Sequence, residues 1–312
     1  MSRRFKVVVV GLGIQGKKRL KFAGADVVAT VDPVVAAADH KKIEDVPLSN
    51  YDAALVSTPD DAKASLIRTL LTSGKHVLVE KPFSASGPEE IRSLRDLARS
   101  KKLACYTAYN HRFEPHLVKA KEVLEQNTLG KLYLAKFFYG NGTARDVRES
   151  TWRDRGNGVI GDLGSHLLDM ALFLFGKTEL EPQPWRFERF ENRSYDYAFF
   201  ASTGKPLIEF EMTLLSWRNT FRMDLFGEKG SLHVDCLCKW GPSTLVVRKR
   251  VLPSGRPAEE SETLSCPDPT WEKEYEHFKK LCLTGGDNLD NDLWIHERLT
   301  ALAEPTLKGR LP

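Results

Sequence analysis

Long hydrophobic runs are absent from this sequence of 312 residues, and no stretch approaches the roughly 20 apolar residues of a transmembrane helix. The apolar residues 7–10 after the basic N-terminus are too few for a signal-peptide core of about 7–15 residues. Excess positive charge is also small, since 46 Lys and Arg residues face 42 Asp and Glu residues. Nucleic-acid-binding proteins usually have a concentrated basic face. We therefore expect neither a membrane nor a nucleic acid partner.

Cysteine is scarce, and the five cysteines form no Cys-x-x-Cys pair. Their odd number favours a reduced, cytoplasmic protein over a disulfide framework. Cys236 and Cys238 lie two apart in an apparent strand, so their side chains would share a face. A two-ligand metal site is one interpretation of this pair, but two small buried hydrophobic residues are the favoured one. We expect no metal.

Strand and helix patterns alternate in the first third of the chain. Short, β-branched apolar runs there are typical of strands buried on both faces. They span residues 5–10, 27–31, 53–57, 76–79 and 103–107. Helical patterns cover residues 60–73 and 88–99, the latter beginning with a proline and two acids. The alternation predicts an α/β domain with a parallel, doubly wound sheet.

The pattern changes at Pro115, where a helix begins and long strand patterns then dominate. A Gly227-Glu-Lys-Gly230 turn separates two of these strands and is typical of a hairpin. We expect an α+β domain with a large open, mainly antiparallel sheet. With a length that allows two domains, we place the first at residues 1–114 and the second at residues 115–312.

A glycine-rich loop, Gly-Leu-Gly-Ile-Gln-Gly at residues 11–16, follows the first strand directly. In a dinucleotide-binding turn the first glycine permits the tight turn, and the second lets a pyrophosphate approach the backbone. The third lets the following helix pack on the sheet, and the N-terminus of that helix faces the phosphates. We expect the cofactor to contact Gly11, Gly13, Ile14, Gln15 and Gly16.

Asp32 ends the second strand about 20 residues later, as the dinucleotide fingerprint requires. A carboxylate there accepts hydrogen bonds from the adenosine ribose and repels a 2′-phosphate, which favours NAD over NADP. The basic residues among positions 17–21 could lie near phosphates, but we favour a solvated helix face for them.

Five ordered motifs span nearly the whole chain: residues 11–16, Ser57-Thr-Pro59, Glu80-Lys-Pro82, Tyr109-Asn-His-Arg-Phe113 and Gly161-Asp-Leu-Gly-Ser-His166. Together they resemble the motifs of the glucose–fructose oxidoreductase / inositol dehydrogenase / rhizopine-catabolism (Gfo/Idh/MocA) family. Beyond the glycine loop, Glu80-Lys-Pro82 at a strand end and Asp-x-x-x-His downstream are the most specific of them.

The resemblance implies a Rossmann domain followed by an open sheet used in substrate binding and in homodimer or homotetramer contacts. Members of the family mostly oxidise or reduce a carbinol or ketone of a sugar, an inositol or a related ring. The matching motif positions imply catalytic roles for Lys81, Asp162 and His166. They also imply that Thr58, Pro59, Glu80 and Lys81 line the cofactor cleft.

The sequence departs from the family pattern in two places. Lys63 stands where relatives often carry a histidine, in the turn after Thr-Pro. The stretch between Asp32 and Tyr51 is short, so the second crossover helix is expected to be trimmed or missing.

The residues themselves permit the same chemistry but leave alternatives open. Lys81 follows a buried strand, and ligands of doubly wound sheets lie beyond the carboxyl ends of strands. Asp162 and His166, four apart, would share one helical face, although a helix cap and a core histidine are the plainer interpretations. Asp169 either orients His166 or forms a salt bridge elsewhere.

Hydride transfer is the mechanism that these residues favour. His166 would exchange the carbinol proton, because histidine is the natural acid or base at neutral pH. Lys81 would hydrogen-bond the same oxygen or its neighbour, and Asp162 an adjacent hydroxyl. By resemblance, the residues that line the substrate side are Asn110, Arg112, Trp152 and Arg153.

Other functions stay open. The arginines at positions 145, 148, 153 and 155 suggest an anionic substrate, but a solvated loop explains them equally well. The substrate is a sugar or polyol in the leading hypothesis, and the enzyme could also act as a ketosugar reductase or on a non-sugar alcohol such as a dihydrodiol. A non-catalytic dinucleotide-binding sensor is the alternative from another class. Retention of Lys81, Asp162 and His166 together argues against a sensor.

Overall fold

The computed structural model describes residues 4–83, 87–150, 153–177 and 180–307 of the chain. Its helices are α1 (Ile14–Ala23), α2 (Asp60–Thr72), α3 (Pro88–Ser100), α4 (Pro115–Glu125), α5 (Ala144–Arg148), α6 (Ser165–Phe175), α7 (Thr270–Thr284) and α8 (Leu289–Leu307). Its strands are β1 (Val7–Val10), β2 (Val27–Val31), β3 (Ala53–Val56), β4 (His76–Glu80), β5 (Cys105–Ala108), β6 (Leu132–Gly140), β7 (Pro182–Glu188), β8 (Tyr197–Ser202), β9 (Leu207–Thr213), β10 (Thr220–Gly227), β11 (Gly230–Asp235), β12 (Ser243–Lys249) and β13 (Glu259–Leu264).

The chain divides into two compact units. Unit 1 comprises Met1–Asn110 and Thr270–His296, and unit 2 comprises His111–Pro269 and Glu297–Pro312. No helix in the part of the chain that the structure describes is both long and apolar enough to cross a membrane.

Unit 1 contains a five-stranded parallel sheet with the strand order β2-β1-β3-β4-β5. Every residue of β1 and β3 is buried, because helices cover both faces of the sheet. The prediction of a doubly wound parallel sheet is therefore confirmed. Between β2 and β3 the chain forms only two single-turn 3-10 helices, Ile43–Asp45 and Leu48–Asn50, so the expected trimming of this crossover is also confirmed.

Helix α7 belongs to unit 1, which differs from the predicted division into residues 1–114 and 115–312. Tyr275 and Phe278 on α7 are buried with Val7, Val9 and neighbouring residues of the parallel sheet. These rings help to cover one face of the sheet and remove apolar surface from water. A pattern of helical residues near the end of the chain gives no sign of which sheet it will cover.

Unit 2 contains an eight-stranded sheet with the strand order β13-β12-β11-β10-β6-β9-β8-β7. All neighbouring pairs are antiparallel except β6 and β9, which run parallel, and β10 and β11 form the predicted hairpin. The mainly antiparallel sheet is confirmed. Strand β13 was not predicted, because its exposed sequence of acids, Ser and Thr lacks the apolar alternation of a half-buried strand.

The expectation that Cys236 and Cys238 share a strand face is wrong. Strand β11 ends at Asp235, Cys236 adopts a left-handed φ of 65°, and Cys238 begins a 3-10 helix. The left-handed residue turns the chain out of the strand, so the two side chains do not follow a two-residue repeat.

Candidate functional site

The glycine loop of unit 1 is closely packed at its two ends. Gly11 has a φ of +88°, and a Cβ on it would lie 2.6 Å from the carbonyl oxygen of Ser57. A Cβ on Gly16 would lie 1.7 Å from the carbonyl oxygen of Gly11. No side chain larger than hydrogen fits at either position without moving backbone, so the tight turn between β1 and α1 requires both glycines.

The middle of the same loop is open. A Cβ on Gly13 would meet no atom of the described chain within 4 Å, and Ile14 is 78% exposed. Gln15, next in the chain, is exposed as well. Helix α1 begins at Ile14, so its first backbone N–H groups lie at this open side. An anionic group can therefore approach the backbone and the helix N-terminus here.

Asp32 fixes the loop to the end of β2. Its carboxylate accepts hydrogen bonds from the backbone N–H groups of Leu12 at 2.7 Å, Val34 at 2.9 Å and Val35 at 2.8 Å. Burial acts to raise the pKa of Asp32, but the hydrogen bonds from Leu12, Val35 and Val34 outweigh it and lower that pKa. The carboxylate is therefore ionised at neutral pH, which opposes a nearby 2′-phosphate. Sequence reasoning predicted the ionised acid but not its second task of holding the loop.

Two hydroxyl groups at the end of β3 lie beside the glycine loop. Within the described residues, Ser57 Oγ and Thr58 Oγ1 are buried and have no hydrogen-bonding partner. Both residues adjoin Gly11, and Pro59 then leads into α2. Buried polar atoms usually have a partner. The open glycine, the ionised acid and these hydroxyls together fit a dinucleotide.

Glu80, at the end of β4, is held by a buried ion network. Arg19 Nε donates to Glu80 at 2.6 Å, Arg19 Nη1 lies 2.7 Å from Glu274, and the guanidinium lies 4.3 Å from the Trp271 ring centre. The interpretation of positions 17–21 as a solvated face is wrong for Arg19, which is 2% exposed. Glu80 from β4 and Glu274 from α7 surround its guanidinium group, and the spacing of residues in the sequence predicts neither contact.

Lys81 follows β4 directly and is half-buried.

Lys63, the lysine at a position where relatives often carry a histidine, has defined contacts in the structure. Lys63 is buried, and its Nζ donates to Asp60 Oδ1 at 2.6 Å and to the carbonyl oxygens of Glu80 at 2.8 Å and Pro82 at 2.9 Å. The residue thus binds the main chain on both sides of Lys81.

In unit 2, Asp162 lies in a π-helical turn, Ile160–Gly164, which runs into α6. A shared face for Asp162 and His166 depends on one continuous α-helix through both residues, and that condition is not met, because the i→i+5 hydrogen bonds of the π turn widen the helix and change the angle between the two positions. Such turns occur frequently at functional sites. Asp162 is paired with Arg153 at 3.4 Å, so two predicted site residues contact each other.

His166 lies in the first turn of α6 and is 8% exposed. Its ring stacks on His111 with centroids 4.1 Å apart, and Tyr139 lies at 6.0 Å. Lys239 Nζ donates to His111 Nε2 at 2.5 Å. Sequence reasoning singled out neither His111 nor Lys239, although His111 lies inside the Tyr-Asn-His-Arg-Phe motif. Lys239 is 128 residues away and gives no local signal.

The predicted substrate residues have other contacts within their own units. In unit 1, Asn110 Nδ2 donates to Thr270 Oγ1 at 2.8 Å. In unit 2, Arg112 forms an ion pair with buried Asp169 at 2.6 Å, which decides the open question about Asp169 in favour of the salt bridge. Trp152 lies outside the described residues. Substrate binding by these side chains stays a prediction.

A surface cavity of about 580 Å³ contains two of the arginines that suggested an anionic substrate. Its charged lining is balanced, with three arginines and three acids: Arg148, Arg155, Arg193, Glu149, Asp154 and Glu191. Arg145 pairs with Glu149 at 2.8 Å, and Arg148 lies 3.8 Å from Glu191. The balance favours a solvated loop over an anion site.

Comparison with known proteins identifies both parts of the chain. Residues 5–109 match the family described as "Oxidoreductase family, NAD-binding Rossmann fold", and residues 117–233 match the "GFO/IDH/MocA C-terminal domain". An uncharacterised oxidoreductase of Schizosaccharomyces pombe is 33% identical over 165 residues, which is 52% of this chain and 41% of that protein. Levoglucosan dehydrogenase of Pseudarthrobacter phenanthrenivorans is 27% identical over 147 residues, 46% of this chain and 37% of that enzyme. The matched part is thus about two fifths of the length of these relatives.

Solved structures share the fold over the full length. Levoglucosan dehydrogenase in complex with NADH superposes with a TM-score of 0.83 at 17% sequence identity and covers 98% of each chain. At this identity the likeness concerns the fold alone.

Proposed function

Because the chain belongs to the GFO/IDH/MocA oxidoreductase family, we propose that it transfers a hydride between NAD and a carbinol or ketone of a sugar, inositol or related polyol. The observation that carries this proposal is the combination of an open Gly13 with the ionised Asp32, in a chain that also retains Lys81, Asp162 and His166. A dinucleotide sensor does not need the last three residues.

The residues that would hold NAD lie at the edge of the parallel sheet. The backbone of residues 11–16 and the N-terminus of α1 would bind the pyrophosphate, and Asp32 would bind the adenosine ribose. Thr58, Pro59 and Glu80 would line the rest of the cleft. When bound, NAD supplies the acceptor or donor of the hydride.

The side chains of the protein would handle the proton and the developing charge. His166 would take the proton from the substrate hydroxyl in oxidation and return it in reduction. The Lys81 ammonium would hydrogen-bond the reacting oxygen and stabilise negative charge on it. Asp162 would accept a hydrogen bond from an adjacent hydroxyl, which orients the ring, and its pairing with Arg153 supports that position.

A panel assay tests the proposal. Purified protein is supplied with NAD or NADH and with polyols, inositols, levoglucosan and ketosugars, and the change in NADH fluorescence is followed. We expect turnover with at least one sugar or polyol, a preference for NAD over NADP, and a loss of about 100-fold or more in kcat for Lys81→Met and His166→Ala. Turnover that survives both substitutions in folded variants would show that the site is assigned wrongly.

Assembly and location are further proposals. Trp185 is 68% exposed and Phe226 36% exposed on strands of the large sheet. We propose that exposed residues of this sheet pack between copies in a homodimer or homotetramer, the assembly that the family resemblance implies. Light scattering coupled to gel filtration tests the assembly, with a monomer as the contradicting result. The free cysteines support a reducing compartment such as the cytoplasm.

A further inference from the structure

The ammonium group of Lys63 lies inside unit 1, and all three of its N–H donors have acceptors. Its side chain is 3% exposed and projects from α2. The Nζ atom has three acceptors, Asp60 Oδ1 and the carbonyl oxygens of Glu80 and Pro82, at 2.6, 2.8 and 2.9 Å. An ammonium group has three N–H donors, so each donor has one acceptor.

The two carbonyl groups lie on either side of the dipeptide Lys81-Pro82. One nitrogen atom thus ties the Glu80–Lys81 peptide unit, directly before the residue to which the catalytic ammonium is assigned, to the Pro82–Phe83 unit one residue beyond it. We propose that Lys63 is a positioning residue for Lys81, and this inference rests on the function proposed above. Lys63 fixes the main chain at the end of β4, so the Lys81 side chain starts from one defined backbone position.

The chemistry of position 63 favours lysine for this task. Relatives in the family that this chain resembles often carry a histidine here. A neutral imidazole has one N–H donor and could hold only one of the two carbonyl groups. Methionine has a similar length but no donor. Glutamine has two N–H donors and could hold both carbonyl groups, although its side chain is shorter.

A buried cation is also costly to keep, which argues that its contacts matter. Burial lowers the pKa of Lys63, while Asp60 and Glu80 act to raise it and the charge of Lys81 acts to lower it. Apolar residues at position 63 would avoid this cost, as they do elsewhere on the buried face of α2, at Ile67, Leu70 and Leu71.

The kinetic test compares Lys63→Met and Lys63→Gln with a matched control. Lys75 donates to the carbonyl oxygens of Leu48 and Tyr51 in the same unit, so Lys75→Met removes a similar contact remote from Lys81. We expect Lys63→Met to lower kcat about 10- to 100-fold, because a small displacement of a reacting group has effects of this size. We expect Lys63→Gln to recover part of the loss and Lys75→Met to keep kcat.

The affinity for NAD separates positioning from general damage. We expect each variant to bind NAD within about threefold of wild type, since a factor of three is only about 0.65 kcal/mol. Equal loss of kcat in Lys63→Met and Lys75→Met, or loss of NAD binding along with kcat, would overturn the positioning role.

A second readout does not depend on turnover. Hydrogen exchange of peptides that cover residues 76–83, and the rate of reductive methylation of Lys81, report directly on this segment. We expect both rates to rise in Lys63→Met, less in Lys63→Gln and not in Lys75→Met. Unchanged rates in Lys63→Met would refute the inference even in an active enzyme. If wild type is inactive on every substrate but Lys63→Met raises both rates, the proposed function fails and the anchoring of the segment stands.

Discussion

The segment around Lys81 and the surroundings of His166 are built in different ways. In unit 1, the strand end that precedes Lys81 is held by buried cations, with Arg19 on the Glu80 side chain and Lys63 on the flanking carbonyl groups. In unit 2, His166 is held by a ring stack on His111. One proposed catalytic group thus follows a strand end fixed by charged hydrogen bonds, whereas the other packs against aromatic rings.

Loss of Arg19 should have the largest effect on stability. Arg19→Met leaves Glu80 and the fully buried Glu274 without their cation, and breaking a buried ion pair from one side costs about 3–5 kcal/mol of the free energy of unfolding. Arg112→Met in unit 2 removes the cation that pairs with buried Asp169 and should cost no more than that. Urea denaturation measures both.

Arg145→Met is the control for this pair, because Arg145 is 78% exposed and its partner Glu149 is 62% exposed. Its stability should equal that of wild type. A variant Arg19→Met as stable as Arg145→Met would mean that the network around Glu80 does not stabilise unit 1.

Substitution of His111, next to His166, should have a smaller effect, and this effect should be on kcat. His111→Phe keeps a ring against His166 but loses the hydrogen bond from Lys239, whereas His111→Ala loses both. A stacked pair contributes about 0.5–1.5 kcal/mol, so we expect His111→Ala to lower kcat about threefold to tenfold and His111→Phe to keep most of it. If the two variants are equally impaired, the Lys239 hydrogen bond and not the stack positions His166.

The smallest expected effect is a loss of folding stability at acidic pH. Burial lowers the pKa of His76 in unit 1 and of His116 in unit 2. The histidines of the unfolded chain therefore bind protons more readily than those of the folded chain. The contribution of the neutral histidines to the free energy of unfolding is fully present above about pH 6.5 and is lost as the pH falls from there towards the folded pKa. The loss is at most about 1.4 kcal/mol per pH unit for each histidine.

Urea denaturation across this range checks the pH effect in wild type and in a variant with His76→Asn and His116→Asn together. We expect the double variant to lose less stability on acidification than wild type. The same loss in both proteins would assign the acid sensitivity to other groups.

Features with local signals could be predicted from the sequence. The glycine loop and Asp32 belong to one strand–helix–strand unit, so their spacing alone indicated the cofactor edge. Contacts between distant segments could not be predicted. In the sequence Arg19 does not differ from the solvated lysines beside it, because its acidic partners come from β4 and α7. The pairing of His111 with Lys239 likewise depends on how unit 2 folds. The π turn at Asp162 was also missed, because an α-helical pattern and a π turn share the same apolar residues.

The transfer of deuterium tests the central claim most directly. A substrate found in the panel is prepared with deuterium on the carbinol carbon, incubated with NAD, and the NADH formed is analysed by mass spectrometry. We predict NADH that carries the deuterium in wild type and a far smaller amount of it with Lys81→Met or His166→Ala. NADH without the label, or equal labelled product from all three proteins, would contradict a hydride transfer that depends on these two residues.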